Sequence, residues 1–351
     1  MDTVRTGVIG AGAVAQWYGR DLRAHPRAEL LAVADLSAKR ARAYQKTFTV
    51  PRLYKSAQDL LADDDLDAVC VALPNSLHEP VSAAALRAGK HVFLEKPFAR
   101  NAAEAKRILQ AARKAKRVLM VGMNLRYLPE AQMLRTLVAR GDLGEVYHAR
   151  ATYLRRSGAP KLGTWFTTKQ ESGGGCMLDI GVHVLDASLF FMDNFRPRSV
   201  AGAVHTKLGP QGRGEGTWGM SDRTDRQFDV DDFATALIRL EGGATVELSV
   251  SWALHQAEKS RRNIELFGTK GGAQLWPFRA GRFGRRKGEY ELIEPQGVPV
   301  ACSAANRMVN WVDVILGEDE PVCSPEQSLV VQRILDAVYA SAHKGREVRV
   351  Q

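Results

Sequence analysis

Residues 6–15 read TGVIGAGAVA, a short apolar strand that runs into a glycine-rich turn. Residues 10–15 match G-x-G-x-x-G/A, in which the first glycine makes a tight turn and the second lets backbone N–H groups approach a pyrophosphate. The small third position lets the following helix pack closely on the strand. The positions expected to hold a dinucleotide are Gly10, Gly12, Ala13, Val14 and Ala15. A glycine-rich turn alone is a weak indication, so its surroundings decide the interpretation.

Apolar strands alternate with helices of about ten residues through the first part of the chain, the pattern of βαβ units. LDAVCVALP (66–74) is a nearly continuous apolar run, typical of a strand covered on both faces in a parallel sheet. The other predicted strands include LLAVADLS (30–37), HVFLEKP (91–97) and VLMVGM (118–123). The fold class is therefore α/β, with a Rossmann doubly wound parallel sheet at residues 1–123 that binds a nicotinamide dinucleotide.

The second strand ends in Asp35, about where the acidic residue that binds the adenosine ribose belongs. Its carboxylate can accept hydrogen bonds from both ribose hydroxyls and would repel the 2′-phosphate of NADP, so NAD is favoured. Lys39 and Arg40 follow closely and can offset that repulsion, which leaves NADP possible. A Rossmann-like fold without a cofactor is the alternative for the whole set.

After Asn124 the regular alternation of apolar strands and helices ends. A helix is predicted at residues 129–140, followed by long alternating stretches such as 146–156 and 233–252. The Glu241-Gly242-Gly243 turn between two alternating runs indicates a hairpin. We predict a second, α+β domain at residues 124–351, with a large, mostly antiparallel sheet and a C-terminal helix at about 325–343.

The bulk properties are those of a globular protein. The chain has 351 residues, more than one compact core usually holds, and it is 45% hydrophobic and 25% charged. Apolar runs stay short of the roughly 18 residues that span a bilayer, and residues 1–6 lead straight into a strand rather than a signal peptide. We expect a cytoplasmic protein without a membrane partner. The cysteines Cys70, Cys176, Cys302 and Cys323 include no CxxC pair and are predicted to be thiols.

The net charge of +10 fits a nucleic-acid surface, an anionic substrate or a basic solvated exterior, and the last is favoured. The densest basic stretch, RAGRFGRRK (279–287), fits a loop or hairpin better than a helix that reads a DNA groove. No nucleic-acid partner is expected, and the role of this stretch stays open.

Two further stretches identify a family. GKHVFLEKPFA (89–99) carries Glu95-Lys96-Pro97 at the end of a strand, and SGGGCMLDIGVHVLD (172–186) carries Asp179 and His183 at the start of a helix. Together with GAGAVA and PNSLH (74–78), they make the chain resemble the glucose-fructose oxidoreductase, inositol dehydrogenase and rhizopine-catabolism (Gfo/Idh/MocA) family. The resemblance covers essentially the full chain.

The resemblance implies that Lys96 is the central catalytic residue and that Asp179 and His183 are its partners. It also implies an open-faced sheet that supports a homodimer or homotetramer, and a site between the domains beyond the carboxyl ends of the Rossmann strands. The residues that line the cofactor would be Leu73, Asn75, His78, Glu95, Lys96 and Asn124. The residues that bind the substrate would be Lys96, Arg126, Trp165, Asp179 and His183, with Lys161 on the same loop as Trp165. Loop, capping or packing roles are the alternatives for Asn75, His78, Asn124, Arg126, Lys161 and Trp165.

These residue types suit the oxidation of an alcohol, in which the nicotinamide takes only the hydride and the protein must manage the proton. The imidazole of His183 suits a general base, and the ammonium of Lys96 can stabilise a developing alkoxide or relay a proton. Asp179 and His183, at i and i+4 of a predicted helix, would share a face, and Asp186 would extend it. We do not predict a metal site, since a hydride mechanism needs none. Cys176 fits a packing residue better than a nucleophile.

The sequence therefore predicts an NAD(P)-dependent dehydrogenase or reductase acting on a secondary alcohol or ketone of a sugar, sugar derivative or cyclitol. An NAD-dependent glycoside hydrolase without net redox change and a dinucleotide-sensing protein without turnover are the alternatives.

Overall fold

The computed structural model describes residues 2–219, 227–294 and 306–351. They form two compact units, Met1–Met123 with Ala304–Leu329 and Asn124–Ser303 with Val330–Gln351. The sequence places everything after residue 123 in the second domain, whereas the structure packs residues 306–329 with the first unit. Apolar contacts hold that segment there, since the ring of Trp311 lies edge-on at 5.7 Å from Phe93.

The first unit is built on a parallel sheet with helices in the connections. Its strands are β1 (Val4–Ile9), β2 (Ala28–Ala34), β3 (Arg52–Tyr54), β4 (Ala68–Val71), β5 (His91–Leu94) and β6 (Leu119–Val121). The helices between them are α1 (Ala13–Ala24), α2 (Ala38–Phe48), α3 (Ala57–Leu61), α4 (His78–Arg87) and α5 (Ala102–Ala115).

Within this part of the described chain the strand order is β3-β2-β1-β4-β5-β6, and every neighbouring pair is parallel. This is the doubly wound Rossmann order, which confirms the prediction. The direction of winding reverses between β1 and β4, so ligands are expected beyond the carboxyl ends of these two strands. The sequence did not predict β3, because three partly exposed residues give no apolar run.

The second unit contains a larger sheet. Its strands are β7 (Val146–Arg155), β8 (Pro197–His205), β9 (Phe233–Leu240), β10 (Thr245–Ser251), β11 (Ser260–Gly268), β12 (Gly272–Gln274), β13 (Arg279–Phe283), β14 (Tyr290–Ile293) and β15 (Val348–Arg349). Their order is β14-β13-β12-β11-β7-β10-β9-β8-β15, and β7 with β10 is the parallel pair among these described strands. The mostly antiparallel sheet and the Glu241–Gly243 hairpin are as predicted, and the basic stretch forms the β13–β14 hairpin.

The other α-helices of the described chain are α6 (Pro129–Ala139), α7 (Lys169–Ser172), α8 (Val182–Met192), α9 (Arg307–Leu316) and α10 (Pro325–Lys344). A π-helical turn, Met177–Gly181, leads directly into α8. The C-terminal helix begins where the sequence predicts it and runs one residue further.

The large sheet buries one face and leaves the other open. Ala149, Ala151 and Leu248 point to the face against which α8 packs, and all three are buried. The alternate residues of the same strands, such as Arg150 and Glu247, are exposed. This alternation is typical of an antiparallel sheet with one solvated face.

The stretch Lys169–Met192 is long and apolar enough to cross a membrane by composition, with a mean hydropathy of 1.5 over 18 residues. This differs from the expectation that apolar runs stay short of the length that spans a bilayer. Because 89% of that window is buried inside the protein, it has the character of a core helix. Of the cysteines, Cys70, Cys176 and Cys323 are buried thiols, and Cys302 lies outside the described residues.

Candidate functional site

The turn after β1 has no room for a side chain. Gly10 has φ +93°, and a Cβ placed on it would lie 2.3 Å from the carbonyl oxygen of Ala72, just beyond β4. Its N–H donates to the Ala34 carbonyl at 2.8 Å, so it also holds the end of β2. Leu73 lies beside the same turn. The first glycine of the motif thus brings three strand ends together at the switch point.

Helix α1 starts at Ala13 with Gly12 as its N-cap residue, and neither a capping side chain nor an acidic residue occupies its first turn. The first N–H groups of a helix lack partners within the helix and carry its positive dipole end, which suits a phosphate. Ala15, at the third position of the motif, is buried and accepts a hydrogen bond from the Tyr44 hydroxyl at 3.1 Å. The turn therefore fits the pyrophosphate of a dinucleotide.

Asp35 joins this turn to the end of β2. One carboxylate oxygen accepts the N–H of Ala11 at 2.8 Å and the other accepts the N–H of Ser37 at 2.7 Å. The guanidinium of Arg40 lies 3.1 Å from the same carboxylate. The carboxylate is therefore held at the position expected for a ribose ligand. Because Arg40 partly offsets the repulsion between the Asp35 carboxylate and a 2′-phosphate, NADP stays a possible cofactor.

The Glu95-Lys96-Pro97 element follows β5. The N–H of Glu95 still pairs with the carbonyl of Val71 at 3.0 Å, and the Lys96–Pro97 peptide bond is cis. Lys96, the residue between Glu95 and Pro97, is partly exposed. The Glu95 carboxylate is buried and is bound by Tyr18 and Arg307 of the same unit, a difference from the expectation that Glu95 lines the cofactor.

His78 is fully buried at the start of α4. Its Nδ1 lies 2.9 Å from the carbonyl oxygen of Pro97 and its Nε2 lies 3.0 Å from that of Leu73. Burial lowers the pKa of His78 to about 4 against the opposing effect of these carbonyls, so the ring is neutral at pH 7 and can donate to one of them. We expected His78 to line the cofactor, whereas its burial lets it hold the Lys96-Pro97 segment against the loop after β4. Asn75, in the same loop, is buried as well.

Asp179 and His183 lie on one continuous helical segment of the second unit. Asp179 belongs to the π-helical turn and His183 to the first turn of α8. The sequence predicts an ordinary α-helix here, and the structure replaces its first turn with a π-turn, a feature frequent at functional sites.

A buried carboxylate that the sequence analysis missed holds the start of this segment. Asp231 accepts the N–H groups of Gly175 and Met177 at 2.7 and 2.8 Å and the hydroxyl of Tyr339 at 2.8 Å. The thiol of Cys176 lies 3.2 Å from it. Burial, together with the charge of Asp231, raises the pKa of Cys176 well above its ordinary value, in agreement with a packing role.

The glycines before the π-turn let the backbone of Asp231 lie close to this segment. A Cβ on Gly175 would lie 1.9 Å from the carbonyl oxygen of Asp231. The sequence offered no signal for the pairing, since Asp231 is 56 positions from Gly175.

Trp252 is a second residue that sequence reasoning missed. It follows β10, is fully buried, and donates its indole N–H to one carboxylate oxygen of Asp179 at 2.9 Å. In the sequence it is only the last apolar residue of an alternating strand. The hydrogen bond holds one oxygen of the Asp179 carboxylate.

Arg126 has an internal partner. Its side chain is 0% exposed and makes a bidentate ion pair with Asp186, at 2.9 and 2.6 Å, while its guanidinium lies 4.9 Å from the ring centre of Phe190. This differs from the expectation that Arg126 binds the substrate. Asp186, which the sequence predicts on the same helix face as Asp179 and His183, is therefore the internal partner of Arg126.

The remaining predicted residues have simpler surroundings. Trp165 is partly exposed and stacks on Phe166 with the ring centres 3.7 Å apart. Phe166 in turn meets the ring of Trp218 edge-on at 5.0 Å. Lys161 and Asn124 are exposed. Trp165 therefore belongs to an aromatic cluster of the second unit, and its role toward a sugar stays a prediction.

Comparison with known proteins identifies the family. Residues 4–123 match the oxidoreductase family with the NAD-binding Rossmann fold, and residues 131–274 match the GFO/IDH/MocA C-terminal domain. The chain is 31% identical to a D-glucoside 3-dehydrogenase of Escherichia coli over 348 residues, which are 99% of this chain and 97% of that protein. It is 28% identical to a levoglucosan dehydrogenase of Pseudarthrobacter phenanthrenivorans over 77% of this chain and 73% of that protein.

Solved structures share the fold. A crystal structure of an oxidoreductase domain protein from Kribbella flavida covers all of both chains with a TM-score of 0.86 and 25% identity. A levoglucosan dehydrogenase in complex with NADH and levoglucosan covers 99% of each chain, with a TM-score of 0.85 and 21% identity. The family matches confirm the resemblance found in the sequence and the nicotinamide cofactor that it implies. Since these matches take in most of the chain, and the glucoside dehydrogenase is similar along nearly all of it, the protein belongs to the Gfo/Idh/MocA family of NAD-binding oxidoreductases.

Proposed function

We propose that the protein transfers a hydride between NAD and a secondary alcohol or ketone of a sugar or sugar derivative, with D-glucosides as the first substrates to test. The observation that carries the redox assignment is the turn at Gly10, which fits a pyrophosphate, with the Asp35 carboxylate held beside it. The sugar class is supported by relatives named for D-glucosides, 1,5-anhydro-D-fructose and levoglucosan. Cyclitols belong in the same substrate panel.

The chemistry divides between cofactor and protein. When bound, NAD supplies the hydride acceptor, so the protein must take the proton of the hydroxyl group. We assign the acceptance of that proton to the imidazole of His183. We assign to the Lys96 ammonium a hydrogen bond that stabilises the negative charge developing on the substrate oxygen. Asp179, fixed by the Trp252 indole, orients the imidazole or binds a neighbouring hydroxyl.

Replacing Lys96 tests the assignment. Lys96→Met keeps the length of the side chain and removes its charge, so we expect kcat with the best glucoside of the panel to fall by about 10²–10³-fold. The affinity for NAD, measured by calorimetric titration, should change little, because the turn at Gly10 is untouched.

The matched control is Lys106→Met, which removes an exposed lysine of the same unit and should leave kcat unchanged. Wild-type activity in Lys96→Met would show that the site is elsewhere. NADH absorbance and aglycone release are followed together, because aglycone without net NADH would make the protein a hydrolase.

Replacing Trp252 tests the orientation of Asp179. Trp252→Phe keeps an aromatic ring but removes the N–H donor, and a hydrogen bond to a charged group is worth about 1.5–3 kcal/mol, so kcat should fall about 10- to 100-fold. The affinity for NAD should be unchanged. Trp276→Phe, at a partly exposed tryptophan of the same unit, is the control and should leave kcat at the wild-type value. Equal kcat values in the two variants would remove Trp252 from the mechanism.

We also propose that the open face of the large sheet binds a second copy of the chain. Across this face the strand register aligns Ala201, Leu237, Glu247, Arg150 and Glu265 in one row. Arg150 lies within 3.5 and 3.7 Å of the two glutamates and offsets part of their negative charge. The next row contains small side chains, among them Ala203, Thr235 and Ser249. A face that carries small side chains, an exposed leucine and charges of both signs is suited to a symmetric contact with a second copy of itself.

Replacing a residue of this surface tests the proposed oligomer. Leu237 is 36% exposed in the row, and Leu237→Arg would place a charge in the contact. We expect light scattering to give a multiple of 38.6 kDa for the wild type and a single-chain mass for the variant. Leu292→Arg, at an exposed leucine of β14 in the same sheet, should keep the wild-type mass. An unchanged mass for Leu237→Arg would contradict the proposal.

A further inference from the structure

Arg307, the first residue of α9, binds the ends of two strands of the Rossmann sheet. Its Nη1 donates to the carbonyl of Gly122, just past β6, at 2.8 Å. The same nitrogen lies 3.4 Å from a carboxylate oxygen of Glu95, just past β5. Its guanidinium also lies 5.0 Å from the ring centre of Tyr18 and 5.8 Å from that of Phe93. One cation thus spans two adjacent strands and the aromatic rings beneath them.

The Glu95 carboxylate depends on this cation. Its side chain is 12% exposed, as is that of Arg307, and the Tyr18 hydroxyl donates to the same carboxylate oxygen. A carboxylate this far from water needs charged and hydrogen-bonding partners. Since Glu95 immediately precedes Lys96, the contacts that fix Glu95 also fix where the lysine leaves the sheet.

Gly122 supplies the space for the ion pair. A Cβ on this residue would lie 3.0 Å from Nη1 of Arg307 and 3.3 Å from the carboxylate oxygen of Glu95. The N–H of Gly122 pairs with the carbonyl of Leu94 at 2.8 Å, so its backbone cannot retreat without breaking the sheet register. The methyl group of an alanine at this position would press on both the cation and the carboxylate, and each would have to shift by a few tenths of an ångström.

We infer that Arg307 is a positioning residue for Lys96: by binding Glu95 and the Gly122 carbonyl, it holds the Glu95-Lys96-Pro97 segment in its active geometry. The inference rests on the proposed role of Lys96. In this interpretation, segment 306–329 helps to position the predicted catalytic lysine of the dinucleotide-binding unit. Arg307 does so across 212 positions of the chain, the separation between it and Glu95.

The test compares two ion pairs of the same segment. Arg307→Gln removes the cation at Glu95. Arg113→Gln removes the ion pair with Glu326, which joins the same segment to the same unit through side chains that are 63% and 52% exposed. We expect Arg307→Gln to lower kcat at least about tenfold, to leave the affinity for NAD unchanged, and to recover in part when guanidinium ion is added. Arg307→Lys should retain an intermediate kcat, and Arg113→Gln should keep the wild-type kcat.

A second variant keeps the test decisive if Arg307→Gln does not fold. Gly122→Ala leaves every charge in place but crowds the pair, and it should lower kcat without changing the affinity for NAD. The inference is overturned if folded Arg307→Gln or Gly122→Ala keeps the wild-type kcat, or if Arg113→Gln loses as much activity as Arg307→Gln. A loss of activity in Lys96→Met with none in Arg307→Gln rejects this inference alone, whereas wild-type activity in Lys96→Met rejects the proposed function.

Discussion

The close approach of β1 to β4 is the constraint on which the dinucleotide-binding unit depends. With 2.3 Å between the Ala72 carbonyl oxygen and any Cβ at Gly10, only glycine lets the chain turn there and start α1 above the sheet. The turn leaves the first N–H groups of α1 without a side-chain cap and puts Ala11 within reach of Asp35. One steric requirement therefore produces both the phosphate-binding and the ribose-binding features of the fold.

Around the predicted catalytic residues, buried charged groups hold the backbone in place, as the steric constraint at Gly10 does in the dinucleotide-binding turn. Asp231 accepts hydrogen bonds from two backbone N–H groups and a tyrosine hydroxyl at the start of the segment that carries Asp179 and His183. The Glu95 carboxylate, next to Lys96 in the chain, accepts a hydrogen bond from Tyr18 and forms an ion pair with Arg307. A buried carboxylate that lost these donors would be costly, so the donors and the acids fix one another in place. In each unit, residues outside the motifs hold the segment that carries the predicted catalytic groups.

The sequence predicts those features that local pattern determines. Strands β1, β4 and β5 were found because a strand buried on both faces needs a continuous apolar run, and the hairpin at Gly242 was found because it needs a glycine with positive φ. The short β3 carried no such pattern. The turn at Gly10 and the candidate acid at Asp35 were predicted because the dinucleotide motif has a fixed local spacing.

Features that depend on distant partners escaped prediction. The π-turn follows a glycine run held by Asp231, and the place of residues 306–329 depends on contacts with β5. Arg126 was assigned to the substrate because an arginine beyond a strand looks the same whether its partner is a ligand or an internal acid. Its partner, Asp186, is 60 positions further along the chain. The burial of His78 likewise depends on Pro97, which is 19 positions further along the chain, and its neighbours in the sequence do not indicate it.

We propose that Lys96 and His183 act on the same substrate hydroxyl, and a double-mutant cycle tests this central proposal most directly. The kcat/KM of Lys96→Met, His183→Asn and the double variant would be measured with NAD and the same glucoside. Residues that act as a unit lose activity non-additively. The account predicts that the double variant is little worse than the poorer single variant. Fully additive losses in the activation free energy would contradict it.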